Sequence, residues 1–308
     1  MLAGARVMAI LVVGLSTYDI TVPMDGPLIE NRKYTLKVEN EGGGGPGYNA
    51  AYLCAKWGAE TYLRSRIGKD LYGNALRKVL EEPGVHSEEL LAPEGFKTSY
   101  SYIFTNEQNG NRTIMNFREP PEQTSYSFPD REINVILTDG HEPVLTLDAF
   151  RQYPDAIRVA DAGTAREDTM RVSREVDYLV ASQVFTEGFL GEPVNLSDQE
   201  IFTRQFAAIE AIHGGTAVIT LGDDGLLYRP GRTEGPVVHM PAYPVKAVDT
   251  TGAGDIFHGA FVYGIASGLP YQEVIKISAM AAAVSVESRG SQSSIPELQT
   301  VRERLKQI

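Results

Sequence analysis

Residues 248–261 read VDTTGAGDIFHGAF. Two carboxylates, Asp249 and Asp255, flank two threonines and the small residues Gly252, Ala253 and Gly254. Behind them Ile256, Phe257, Ala260, Phe261, Gly264 and Ile265 keep helical spacing, which predicts a helix opening at GAGD. The first N–H groups of a helix have no internal partner, and the dipole places about half a positive charge there. Small residues let a large anion approach those groups, and an acid at the same corner can take a proton from an attacking hydroxyl. Those are the two requirements of phosphoryl transfer to an alcohol. As bare spacing, the same string also suits an ordinary capped turn.

Outward from that corner, the chain alternates between short apolar runs and helical patterns. Val7–Val13 reads as a buried first strand ending at Gly14, and YNAAYLCAKWG and LYGNALRKVLEEPG as helices. TYLRSRIG, NVILTDG, IRVADAG, YLVASQ and TAVITLG read as strands, interleaved with helices near 146–153, 166–175 and 198–213. This is the rhythm of a doubly wound, mostly parallel α/β sheet covered by helices on both faces. Two patches break the rhythm. Residues 18–41 are alternating and turn-rich, with TLKVE suggesting a half-exposed strand, and residues 98–118 read as a hairpin turning at Asn109-Gly110. Both are assigned to one small discontinuous β lid, residues 18–45 and 95–119, over an α/β domain of residues 1–17, 46–94 and 120–308.

Composition narrows the function. The 308 residues are 43% hydrophobic and 22% charged, ordinary for a soluble globular chain. A net charge of −12 argues against a nucleic-acid binder, and no apolar run approaches membrane length. Cys54, the one cysteine, excludes an internal disulfide or a Cys-rich metal site, so a cytoplasmic setting is expected. There is no Walker A string, and the match of Gly42, Gly44 and Gly47 to G-x-G-x-x-G follows polar residues instead of a buried strand.

VDTTGAGDIFHGAF closely resembles the nucleotide-site signature of the ribokinase-like (phosphofructokinase B) carbohydrate kinases, and the resemblance extends along essentially the whole chain. EGGGGPGYNAAYLCAKWGAETYLRSRIGKDLYGNAL is similar to the family's substrate-site segment, including its G-x-D-x-x-G pattern at Gly68, Asp70 and Gly73. The resemblance implies an ATP-dependent sugar kinase in which Asp255 is the general base and Gly252, Ala253 and Gly254 bind the developing charge. It places Asp19, Gly44, Gly45, Asn49 and Asp139 around the sugar. NGNRTI at 109–114 resembles the lid hairpin of ketohexokinase-type members, which brings Arg112 to the nucleotide phosphates and a ketose or related monosaccharide to the pocket. TLGDDG resembles the loop over adenosine, giving Thr220, Gly222, Asp223, Asp224 and Gly225 beside Gly252 and Gly254. ESRGSQSSIP resembles the monovalent-cation loop, with Asp249, Thr251, Ser285, Ser288, Gly290 and Ser294 as oxygen donors for K⁺. Where the family often carries Asn-x-x-Glu, this chain has Ser182 and Phe185, with Glu187 displaced, so Mg²⁺ is expected through ATP and water. His258 is expected in packing or at the surface. A nucleoside kinase on the same scaffold and a non-catalytic sugar sensor stay open as alternatives. A lid of exposed strands suggests a homodimer.

Overall fold

In the computed structural model, residues 9–108, 112–128 and 130–308 are described. The start of the first strand at Val7 and the turn at Asn109-Gly110 lie outside them. Twelve strands and nine α-helices are found among the described residues. In chain order the larger sheet contains β1 (Ile10–Val13), β4 (Thr61–Arg64), β7 (Val135–Thr138), β8 (Ile157–Ala162), β9 (Tyr178–Ser182), β10 (Thr216–Thr220), β11 (Leu226–Tyr228) and β12 (Val238–Met240). Their spatial order is β12-β11-β10-β9-β8-β7-β1-β4, parallel from β4 to β10, with an antiparallel tail at β11 and β12.

Alternate residues of these strands serve opposite layers. Ile10, Val12, Leu137, Val180 and Val218 pack toward α1 (Pro46–Lys56), α7 (Ala253–Ala266) and α8 (Tyr271–Ser285), with α9 (Leu298–Leu305) beside α8. Leu11, Val13, Ile136, Leu179 and Ile219 pack toward α3 (Pro143–Gln152) and α6 (Gln199–Glu210). Burial on both faces explains why the strands are apolar runs, each such side chain contributing about 1.5–3 kcal/mol. The short helices α4 (Glu167–Ser173) and α5 (Gln183–Leu190) follow β8 and β9, and α2 (Leu71–Glu81) follows β4. Asp70, in the G-x-D-x-x-G pattern, caps α2 through the Gly73 N–H at 2.8 Å.

The smaller sheet has the order β3-β2-β5-β6, from β2 (Thr17–Met24), β3 (Asn40–Gly44), β5 (Tyr100–Asn106) and β6 (Arg112–Phe117). TLKVE is not one of its strands. Leu36 and Val38 are exposed, and the strand is instead NEGGG, which pairs antiparallel with Thr17–Thr21. Partner β2 lends NEGGG the ladder that its own composition would not favour. Alternation along β2 and β5 turns Thr17, Asp19 and Ser101 to one face and the rings of Tyr18, Tyr100 and Tyr102 to the other.

The chain leaves β1 toward β4 and later returns to β1's other side with β7. Ligands of such sheets bind beyond the carboxyl ends of the strands at this switch of direction. The loops after β1 and β7 are where the site is found.

Candidate active site

Gly252 caps α7 with φ 77°, a left-handed conformation that glycine adopts without strain. This turns the chain sharply from the Thr250-Thr251 loop into the helix, so Asp255 falls in the first turn. Its neighbour is Asn49 of α1, whose Nδ2 donates to Asp255 Oδ2 at 2.7 Å. The two helices can approach this closely because Gly259 faces Ala50: a Cβ on Gly259 would sit 3.1 Å from Ala50 Cα. Below, the His258 ring nitrogens lie 2.6 Å from Gly254 O and 3.2 Å from Val180 O, with Asp161 Oδ2 3.2 Å from Nδ1. His258 is thus a buried tie between the first turn of α7 and the middle of β9. The Asp161 carboxylate beside it is a group that the motifs did not single out. Burial first, then the charge of Asp161, pushes Asp255 up to about 7, against the Asn49 hydrogen bond.

Asp19 approaches from the smaller sheet. Its Oδ2 lies where a Cβ on Gly44 would be only 2.0 Å away, so a side chain at residue 44 would displace this carboxylate. Burial raises Asp19 to about 7 despite the Ser101 hydroxyl, and the charge of Asp255 adds to the rise. Asp19 Oδ1 and Asn49 Oδ1 are both buried without a hydrogen-bond partner in the protein. Gly45 caps α1 beside them.

Asp139 does a different job from the sugar contact expected of it. It is 4% exposed, and Oδ2 accepts from Leu15 N at 2.7 Å and Gly47 N at 3.1 Å, while Oδ1 accepts from His141 N at 3.0 Å. Burial alone would raise its pKa, but His141 and these N–H groups outweigh burial and hold the carboxyl below its ordinary range. Asp139 clamps the loop after β1 to the start of α1 and the end of β7. Three of its roughly four acceptor positions are thus taken by the scaffold.

On the other side of the GAGD corner, a cavity of about 530 Å³ touches Ala253 and Gly254. Thr220, Gly222, Asp223 and Gly225 line it, as the TLGDDG reading expects, whereas Asp224 is exposed and outside the lining. Apolar surface from Phe257 of the motif helix completes it, together with Tyr243, Ala279 and Val286 from two segments that the motif reading missed. A flat base suits those walls, and phosphates suit the helix start, so a nucleoside triphosphate fits. Arg112 of β6 reaches over this mouth, donating to Thr251 Oγ1 and, at 3.3 Å, to Thr250 Oγ1.

The expected cation donors converge only in part. Asp249 accepts from Thr251 Oγ1 at 2.6 Å, from Gly290 N at 2.9 Å and from Thr251 N at 2.9 Å, and these bonds, with the charge of Arg112, outweigh burial and lower its pKa. Ser285 and Ser294 instead donate to Ala282 O and Ser291 O, and Ser288 is exposed. Ser182 caps α5 by accepting from Phe185 N, Phe185 is buried, and Glu187 accepts from Gln183 and Val194 N. These three are committed to local structure and do not form a Mg²⁺ ligand set.

Comparison with known proteins agrees with this architecture. The model of the pfkB family carbohydrate kinases matches residues 9–298. A deoxyribokinase of Salmonella typhi is 25% identical over 304 residues, covering 95% of each chain. The structure of a ribokinase from Thermotoga maritima superposes with TM-score 0.80 at 26% identity, over 97% of this chain and 99% of that one. An Arabidopsis thaliana ribokinase complexed with ribose and ATP gives TM-score 0.82 at 21% identity, over 97% and 99%. No described helix is long and apolar enough to cross a membrane. Matched over nearly its whole length, the chain belongs to the pfkB family and is an ATP-dependent carbohydrate kinase.

Proposed function

We propose that this kinase phosphorylates a hydroxymethyl group of a monosaccharide, a ketose or a related sugar, with Asp255 as the general base. The observation that carries the reading is the pair of unsatisfied buried acceptors, Asp19 Oδ1 and Asn49 Oδ1, beside an acid at a helix mouth. Sugar hydroxyls would supply the missing donors. The hydroxymethyl proton passes to Asp255, its oxygen attacks the terminal phosphorus of ATP, and the leaving ADP takes the broken P–O bond's electrons. The N–H groups of Gly252 and Gly254 donate to the oxygens on which charge develops, while that of Ala253 makes a longer contact, 3.4 Å, with Thr250 O. Arg112 adds charge at the phosphates. Mg²⁺, held by the phosphates and water, would neutralise them further, and Asp249 with the Gly290 segment is the part of the loop suited to K⁺.

The ketose preference rests on NGNRTI, whereas relatives named for ribose and deoxyribose favour pentoses. Residues 18–45 and 95–119 act as a lid that closes over the sugar and excludes water. Its edge strand β6 carries exposed Ile114, Met115 and Phe117, which a second copy of the chain would cover.

Measuring ADP release across fructose, tagatose, ribose, deoxyribose, ketodeoxygluconate and adenosine tests the acceptor class. Asp255→Asn is expected to keep ATP binding and to lower kcat by about a thousandfold or more, about 4 kcal/mol of barrier. Turnover within about tenfold of the parent enzyme (about 1.4 kcal/mol) would remove Asp255 as the base.

A further inference from the structure

Where the lid's return segment meets the body, a cavity of about 310 Å³ lies next to the acceptor residues. Leu15 lines it, and so does Ser99, whose carbonyl accepts from Tyr18 N, one residue before Asp19. Arg66, Arg118, Arg166 and His141 also face it.

Only one of the three arginines is neutralised by an ion pair among the described residues. Arg66 is buried, with Nε 2.7 Å from Glu142 Oε1 and Nη2 2.7 Å from Pro120 O. Glu142 Oε2 in turn accepts from Glu122 N at 3.0 Å. This pair is the strut that pins the segment carrying Arg118 to the body. Arg118 and Arg166 have no carboxylate within ion-pair distance among the described residues, and Arg166 makes one long bond, 3.3 Å, to Thr169 Oγ1. Burial, followed by the charge of Arg118, lowers the pKa of Arg166, so the two guanidinium groups feel each other. Ser65 Oγ, on a residue 1% exposed that lines the same cavity, has no hydrogen-bond partner. Glu119 and Asp168 also line this hollow without pairing with either arginine, so a chain of net charge −12 sets two cations outside any ion pair among the described residues and an unused hydroxyl around it.

We infer that the acceptor is an anionic monosaccharide whose carboxylate or phosphate lodges between Arg118 and Arg166, with Ser65 as a further donor, while its hydroxymethyl end lies at Asp255. This deepens the kinase reading and rests on it. A neutral sugar would leave Arg166 with only the more distant carboxylates of Asp139 and Asp168 set against the repulsion of Arg118. An anion converts that repulsion into two charge-assisted contacts. The nucleotide phosphates have their own place, at the start of α7 with Arg112.

Isothermal titration calorimetry and ADP release, each with matched acceptors, test it: fructose 6-phosphate against fructose, and gluconate against glucitol. At least one anionic member is expected to bind at least about tenfold tighter than its neutral partner. Arg166→Gln, and separately the exposed Arg118→Gln, are expected to raise KM for that acceptor at least about tenfold, leaving KM for ATP unchanged. Which pair responds tells phosphate from carboxylate. Equal binding of neutral and anionic partners, or anion binding indifferent to both substitutions, would overturn the inference. Arginine-dependent binding without any ADP formation would uphold the anion site and instead remove the transfer chemistry assigned above.

Discussion

Asp19 and Asp255 lie close enough for the charge of Asp255 to act on Asp19, and each is pushed up to about 7. They repel each other, so they titrate as a pair. As the proposed base, Asp255 must be ionised to take a proton, so kcat/KM should fall as pH drops through about 7, approaching tenfold per unit well below it. A flat profile between pH 5.5 and 8 would contradict the burial that raises the pair. Stability runs the other way. A carboxyl whose folded pKa exceeds its unfolded value binds its proton more tightly when folded, so its stabilising effect is full below about 4 and lost as pH rises through about 7. Asp255→Asn should therefore raise Tm at pH 8, and the gain should shrink towards pH 4. Thermal unfolding of the variant at both pH values checks this, and a variant less stable at pH 8 would refute it. Asp255 was legible because GAGD announces itself locally. Asp161 was not, since inside IRVADAG it is one polar residue in a strand, and its meaning comes from β8 lying beside β9 and beneath α7.

At the scale of elements, the site depends on how closely α1 and α7 cross. Asn49 meets Asp255 only because Gly259 lets the Ala50 backbone approach. Valine at 259 must push the helices apart, since the obstacle is backbone and cannot rotate away. Gly259→Val should cost about 1–3 kcal/mol of stability and lower kcat more than it raises KM for ATP. Circular dichroism melts and steady-state kinetics would show both effects; an unchanged melt and rate would mean the crossing is looser than described. Glycines at 44 and 252 were readable as motif members, but Gly259 lay unmarked in a helix. The antiparallel tail was hidden for another reason, as LLY and VHM are each too short to show a period. TLKVE misled because its alternation reflects an exposed strap, and NEGGG became a strand through pairing that no local propensity reveals.

For the whole molecule, the parallel part of the larger sheet, from β4 to β10, was the most readable feature, since apolar runs separated by helices leave few other arrangements. Charge placement was the least readable. Arg118 and Arg166 are far apart in the chain and meet only because the lid's return segment is anchored over the loop after β8. The uncovered edge at β6 leads to an assembly prediction. Light scattering should give a mass near twice 33.7 kDa, and Ile114→Lys with Phe117→Lys should halve it. A monomer for the parent chain would count against the clasped pair. The division of the site between chain segments has a consequence for descent and design. Most of the cavity proposed for the donor is built by α7, α8 and the loops after β10 and β12, whereas recognition of the far end of the acceptor is proposed to fall to residues after β6 and after β8. Taste for a new sugar can therefore drift, or be engineered, by altering a few residues at the periphery while the reactive corner stays unchanged.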